Sequence, residues 1–372
     1  MRAAVQTLAM PMPAELAVIV PTFNEAANVE LLIQAVSRTL ESIRWEIVFV
    51  DDNSPDGTSD RVREIASSDA RVRIVHRFGR RGLSSACVEG ILATSAPFIA
   101  IMDGDMQHDE GVLVAMFARL KESDVDLVVG SRYVDGGSFG EWSRKRVLAS
   151  QVATTLALKL TRTALSDPMS GFFMLRREAF MAALPNLSNV GFKILLDIAA
   201  STPKPLRVAE VPFTFRTRQH GESKLDALVL WEYLQLILDK ALGHIVPARF
   251  ISFAMVGGIG VLVHFAVLTL LFKGVGLAFA IAQTGATIFA ISNNFFLNNI
   301  LTYSDQRLRG LRLLYGWITF NLVCAVGAAA NVGIADWLFE RPTYWVVSAL
   351  AGILVSVVWN YVVSGLVTWR KR

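Results

Sequence analysis

The chain has 372 residues, of which 53% are hydrophobic and 18% charged, with a mean hydropathy of +0.44. That is too apolar for a soluble enzyme and too polar for a pure transporter, so a soluble part joined to a membrane part is expected. A net charge of +4 and a pI of about 9.1 come without any nucleic-acid motif, and fit an anionic membrane surface or phosphate substrates better.

In chain order, Leu16–Val20 reads as a short buried strand ending in PTFNE, Pro21 to Glu25. A helix is predicted over about Ala27–Leu40, then a strand over Glu46–Val50 that ends in DDNSPDGT, Asp51 to Thr58. PTFNE serves equally as a helix start capped by Asn24 and as a nucleotide contact. DDNSPDGT has the composition of a tight turn. Val72–Val75 is a third strand, leading through HRFGRRGLSSA into a helix over about Ser84–Thr94. Its GRRG lacks the Lys-Ser/Thr ending of a Walker loop. Phe98–Met102 and Asp126–Val129 are the fourth and fifth strands, the latter ending in GSRY. Alternating strands and helices predict an α/β, doubly wound sheet with helices on both faces and the polar strand ends on one edge. Cys87 and Cys324 offer neither a disulfide framework nor a zinc set. The first residues, broken by Pro11 and Pro13, make a poor signal peptide.

The fourth strand ends in DGDMQHD, Asp103 to Asp109. Asp103, Asp105 and Gln107 place three hard oxygen donors beyond a strand end, where ligands of open α/β sheets bind, and suit Mg²⁺ or Mn²⁺. An acidic turn capping the helix at Glu110 accounts for the same residues. Past Ser131 the chain turns basic, with Arg132, Arg144, Lys145 and Arg146 before a helical stretch to about Leu160. Arginine forks match phosphate oxygens, although a solvated basic face has the same composition. DPMSGFFMLRRE, Asp167 to Glu178, and GFKILLDI, Gly191 to Ile198, bracket a further helix. FRTRQHGESKL, ending at Leu225, gathers Arg216, Arg218, His220, Ser223 and Lys224 around a glycine. It reads as a phosphate-closing lid or as a charged linker.

Leu225–Ile245 is apolar around most of a helix, with a stripe of Glu232, Gln235 and Asp239, as in a helix lying along a membrane interface. Four spans follow, about Phe250–Phe272, Leu277–Asn298, Leu313–Leu338 and Trp345–Val367. Arg307, Arg309 and Arg312 lie after the second span, and Arg370, Lys371 and Arg372 after the fourth. The positive-inside rule therefore puts both chain ends and the soluble domain in the cytoplasm. NFFLNNILTY, from Asn294, resembles NYVVSGLVTW, from Asn360, which predicts a parallel duplication of a two-helix hairpin. These Asn and Thr residues, with His264, Asn321 and Asn331, are expected to bond between helices, the alternative being a path for a sugar or lipid head. The expected domains are residues 1–224, 225–246 and 247–372.

In order, PTFNE, VDDNSPDGT, DGDMQH, GSRY, DPMSGFF, GFKILLD and RQHGESK resemble the polyprenyl-phosphate glycosyltransferases of glycosyltransferase family 2, and most closely the dolichol-phosphate mannose synthases. The four spans resemble the GtrA-type membrane domain fused to some of these. The resemblance implies a Rossmann-like GT-A domain followed by an all-α membrane domain. It implies that Pro21, Phe23, Glu25, Val50 and Asp52 hold the donor base and ribose, with Phe23 standing where many relatives have Tyr. Asp103, Asp105 and Gln107 would hold the cation, with Gly104 also at the donor. Arg132, Lys193, Arg218 and Lys224 would meet the phosphates, and Arg132, Arg144, Lys145 and Ser170 the acceptor phosphate. Asp105, Arg132 and Arg218 would carry catalysis. The GRRGLSSA segment departs from the GKLGLGTA-like form of relatives.

The implied reaction moves mannose from GDP-mannose to a polyprenyl (dolichyl) monophosphate at the bilayer, UDP-glucose being the rival donor. A phosphate monoester is largely dianionic at pH 7, its second pKa being about 6, so it attacks without a protein base. One displacement inverts the anomeric centre and gives a β-linked product. No Q-x-x-R-W sequence of a processive synthase occurs. The alternative of another class is a component that flips or transports lipid-linked sugar.

Overall fold

The computed structural model describes residues 13–79, 82–122, 124–138, 161, 163–188, 193–216, 227–242, 246–303, 306–339 and 345–370. They form two compact units, Met1–Ala241 and Leu242–Arg372.

The first unit is built on seven strands: β1 (Leu16–Thr22), β2 (Trp45–Asp51), β3 (Val72–His76), β4 (Phe98–Ile101), β5 (Leu127–Ser131), β6 (Phe173–Arg176) and β7 (Val208–Pro212), in the order β3-β2-β1-β4-β6-β5-β7. The expected five are parallel in the sense that doubly wound sheets require, except where β6 intervenes. β6 runs antiparallel to both β4 and β5, with Phe173 opposite Ile101 and Val129. FFML, four apolar residues running straight into a helix, carries no period of its own, so DPMSGFFMLRRE did not read as a strand. Its reversed direction has a consequence for function: residues 167–171 arrive at the edge where β1, β2, β4 and β5 end. β7 runs parallel to β5 and delivers Phe213–Arg216 to the same edge.

Side chains alternate between two cores. Val18 and Val20 of β1 face α1 (Val29–Thr39) and α4 (Val112–Glu122), through Leu32, Val36, Met116 and Leu120. Ala17 and Ile19 face α3 (Leu83–Leu92), α5 (Arg177–Ala183) and α6 (Ile194–Ser201), through Cys87, Ile91, Phe180 and Leu195. Both faces being covered explains the unbroken apolar runs. Between β2 and β3 lies α2 (Thr58–Ala66). α7 (Ala227–Leu242), the helix expected on the membrane interface, packs Tyr233 and Leu236 against Leu196 of α6.

The second unit holds α8 (Ala248–Thr269), α9 (Phe279–Leu297), α10 (Leu311–Phe339) and α11 (Trp345–Val367). Among the described residues three stretches are long and apolar enough to cross a membrane: Arg249–Gly274, Leu311–Asn331 and Leu350–Val367. The remaining expected span, α9, interrupts its apolar residues with Gln283, Thr284, Ser292, Asn293 and Asn294. Large apolar side chains such as Leu262, Phe265, Phe289 and Leu354 point outward, as in a protein solvated by lipid.

The duplication extends over both hairpins. Ser252, Phe253 and Gly260 of α8 recur at one constant spacing as Thr319, Phe320 and Gly327 of α10. The Ser252 and Thr302 hydroxyls bond at 2.9 Å, and those of Thr319 and Thr368 at 3.2 Å. Phe253 meets Tyr361 at 5.7 Å between ring centroids, and Phe320 meets Phe295 at 5.8 Å. A β-carbon on Gly260 would overlap the Asn294 amide, and one on Gly327 the Asn360 amide. Equivalent residues also meet one another: Phe253 with Phe320 at 6.5 Å, and Tyr303 with Trp369, stacked at 4.1 Å and 3°. Pairing of like with like is what a two-fold relation between the hairpins demands.

Candidate active site

Three loops meet at the sheet edge because polar side chains zip them together. After β1, Asn24 takes a left-handed turn (φ 61°), so the chain enters α1 at Asn28 and the expected cap at Asn24 falls outside the helix. The backbone N–H groups of Asn24, Glu25 and Ala26 donate to Ser54 Oγ (2.9 Å), Thr58 Oγ1 (3.0 Å) and Asp56 Oδ2 (3.1 Å) of the DDNSPDGT loop. Asp51 holds that loop from below, accepting from Ser54 N (2.9 Å) and Ser59 Oγ (2.7 Å). Glu25 accepts from Asn28 Nδ2 at 2.7 Å. Pro21 lies in register with Val50, whose side chain is buried in the second core. Val50 can therefore offer a ligand only its backbone.

Asp52 is gripped by a residue the motifs did not single out. Arg77, 1% exposed, meets Asp52 Oδ1 at 2.8 Å and donates to Gly82 O (3.1 Å) and Ser85 Oγ (2.7 Å), while Gly82 N–H donates to Asp52 Oδ2 (2.8 Å). A carboxylate has about four acceptor sites, so this clamp is compatible with a further ligand contact. The only prior sign of Arg77 was its place at the end of a strand.

Beyond β4, Gly104 packs against Thr22 and Val20. Met106 has a positive φ of 62°, which reverses the chain between Asp105 and Gln107. Asp105 is buried and accepts from Gln107 N–H at 3.1 Å. The Asp103 side chain is 34% exposed. Its N–H donates to His108 Nδ1 at 3.0 Å, which leaves the imidazole proton on Nε2. His108 is stacked on Phe172 and edged by Phe213 and Phe215. Burial pushes it down to about 4, helped by Arg132 and opposed by Asp105 and Asp167, so it is neutral at pH 7. Gln107 Nε2 donates to Arg216 O (3.0 Å), and the Arg216 guanidinium reaches Asp109 (2.7 Å) and Glu110 (2.8 Å). Arg216, read as part of a lid, thus braces the acidic turn.

The oxygen donors of Asp103, Asp105 and Gln107 fit a hard divalent cation. Among the described residues no three His, Cys, Asp or Glu side chains gather around one point, so such an ion would draw its other ligands from diphosphate and water. Cys87 sits beneath the site, but burial pushes its thiol far up and excludes it as a nucleophile.

On the other side, Arg132 lays a fork on Asp167, with Nε–Oδ2 at 2.7 Å and Nη2–Oδ1 at 2.8 Å. Both are buried, and two of the three guanidinium nitrogens are taken by this pair. Ser170 is buried, donates to Gly130 O at 2.7 Å and shapes the turn. Lys193 Nζ donates to Met169 O at 3.4 Å. Ser138 bridges Thr214, which sets side by side the points from which both basic segments depart. Arg144, Lys145, Arg218 and Lys224 lie outside the described residues.

An α/β sheet with an acidic turn at its edge, in a chain that also carries apolar helices long enough to cross a membrane, has the make-up of a membrane-attached glycosyltransferase. Residues 17–184 match glycosyl transferase family 2, and residues 252–369 match the GtrA/DPMS transmembrane domain. A dolichol-phosphate mannosyltransferase of Pyrococcus furiosus is 37% identical over 95% of this chain and 99% of its own. One of Saccharomyces cerevisiae is 36% identical over 61% of this chain and 87% of its own. The chain belongs to the dolichol-phosphate mannosyltransferase family. Among solved structures, glucosyl-3-phosphoglycerate synthase from Mycobacterium tuberculosis in complex with UDP is similar at 21% identity and a TM-score of 0.44, over 61% of this chain and 80% of that one.

Proposed function

We propose that the protein transfers mannose from GDP-mannose to a polyprenyl monophosphate, with inversion, at the cytoplasmic face of a membrane. The observation that carries this reading is the convergence of the acidic turn, the Asp52 loop and the Arg132–Asp167 pair on one sheet edge, in a chain that a dolichol-phosphate mannosyltransferase matches over 95% of its length.

Pro21, Phe23, Glu25 and Asp52 line the place of the base and ribose. Asp103, Asp105 and Gln107 would hold Mg²⁺ or Mn²⁺, which neutralises the diphosphate when bound. An acceptor phosphate oxygen attacks the anomeric carbon as the bond to the diphosphate oxygen breaks, and the leaving charge stays on GDP. No proton has to move, so no side chain is assigned as base. The task of the chain is to bring two anions together, which Arg132, Lys193, Arg218 and Lys224 do at the phosphates of donor and acceptor, with Arg144 and Lys145 at the acceptor. Asp167 positions Arg132, and its charge keeps the guanidinium in one orientation. The clusters of basic residues after α9 and α11 support a membrane orientation with both ends cytoplasmic.

A donor panel tests this. Purified protein in detergent receives polyprenyl phosphate, Mg²⁺ or Mn²⁺, and radiolabelled GDP-mannose or UDP-glucose. Labelled lipid is expected with GDP-mannose and is expected to vanish with a chelator. Label from UDP-glucose alone would overturn the donor assignment, and transfer unaffected by the chelator would overturn the metal assignment.

A further inference from the structure

Helix α7 has the sequence of a surface-lying helix, yet it sends a lysine into the catalytic unit. Lys240 Nζ stands 2.6 Å from Asp197 Oδ1 and donates to Asn186 O (2.8 Å) and Ser201 Oγ (2.8 Å), so three ammonium protons have three acceptors. Asp197 on α6 is wholly buried and accepts from Ser188 N (3.1 Å) and Ser188 Oγ (2.8 Å) as well. The Lys240 side chain is 10% exposed. A lysine on a merely anchoring helix would extend its ammonium into water, because burying the charge is unfavourable unless every partner is in place.

The socket is built from both flanks of the segment that carries Lys193: Asn186 and Ser188 before it, Asp197 and Ser201 after it. Lys193 in turn reaches Met169 O, and Met169 packs against the Tyr233–Leu236–Leu196 cluster of α7 and α6. Met169 lies between Asp167, the partner of Arg132, and Ser170, which fixes the same turn. Helix α7 therefore touches the site turn through apolar packing at Met169, and the ion pair ties the same helix to α6, whose N-cap is Lys193.

We infer that Lys240 and Asp197 are positioning residues for the lipid-phosphate acceptor: they lock α7 to α6, whose N-cap is Lys193, and so hold the Tyr233–Leu236 face against Met169 of the 167–170 turn. The helix that meets the membrane thereby sets the acceptor side of the site. This rests on the proposed reaction.

The test compares the full-length parent with Lys240→Met, Asp197→Asn and the double variant in detergent. Thermal midpoint, GDP affinity, and KM for donor and for polyprenyl phosphate are read for each. The single variants strand one member of the pair and are expected to melt early. The double variant removes both charges and is expected to melt close to the parent, with acceptor KM raised about tenfold and donor KM within about twofold. A double variant with parental KM for both substrates would make the pair a structural staple and overturn the inference, as would a parallel rise of both. Should the parent use a nucleotide sugar other than GDP-mannose, the donor assignment falls, and the same comparison made with that donor still decides the inference.

Discussion

Asp52, Asp167 and Asp197 are each less than a tenth exposed, and each meets a cation brought from another element: Arg77, Arg132 and Lys240. In the membrane unit the buried polar side chains among the described residues are all neutral: Ser252, Asn298, Asn299, Thr302, Ser364 and Thr368. The solvent outside explains the contrast. A charge buried in the water-solvated unit can be offset by a matched partner, and the pair then ties together segments far apart in sequence. A charge in a lipid-solvated helix is costly at any depth of the hydrocarbon, whereas amides and hydroxyls find partners one turn away or on the facing helix. Buried charge thus fixes the geometry of the site, and buried amides fix the packing of the hairpins.

The largest effect expected concerns the acidic turn. Asp105→Ala removes a buried carboxylate that accepts from the Gln107 N–H, and transfer is expected to fall about 10³-fold in a protein that still folds. Labelled-lipid formation beside a thermal melt measures both. A variant retaining parental activity would remove Asp105 from the chemistry.

Asp167→Ala should break the catalytic unit differently, by stranding Arg132 without its counter-ion. A loss of about 3–5 kcal/mol in the stability of that unit is expected, read by denaturant unfolding. A loss below about 1 kcal/mol would mean that the pair is no more than a surface contact and would erase the contrast drawn above.

Which of these residues could be foreseen depended on how local their partners are. Strands β1 to β5 were legible because unbroken apolar runs ended in Asp, Asn and Gly clusters. β6 was hidden inside DPMSGFFMLRRE, and β7 reads VAEVP, a strand only partly buried, with a glutamate inside it. Without β6 the antiparallel reversal is invisible, and with it the reason Asp167 lies against Arg132, 35 residues away. The same holds for Arg216, whose partners Asp109 and Glu110 are brought near by β7. The acidic turn itself was legible because its side chains lie within five residues. In the membrane unit, the repeat was visible at its polar end, but its first helices share mainly Phe, Gly and hydroxyl positions that only structural pairing aligns.

The hairpins offer a test of the second half of the contrast. Gly260→Leu and Gly327→Leu each drive a side chain into an asparagine packed on the glycine, and overpacking should cost about 1–3 kcal/mol at either site. Near-equal falls in thermal midpoint of the full-length protein are expected. A fall confined to one site would show that the two-fold relation is one of shape and not of energy.

The smallest effect is expected from the asparagines themselves. Asn294 Oδ1 and Asn360 Oδ1 are buried and have no hydrogen-bond partner among the described residues. Each amide lies against a glycine whose Cα–H groups can give only weak C–H···O contacts. Replacing either by Ala removes a poorly satisfied amide together with some packing, two changes of opposite sign. The stability change should stay within about 1 kcal/mol, in line with polar contacts between membrane helices. Stability and transfer rate measured on Asn294→Ala and Asn360→Ala decide the point. Parental transfer with a small shift in midpoint is the outcome of a packing role. Loss of transfer with the fold intact would instead give these amides a ligand, and the membrane unit a share in handling the lipid.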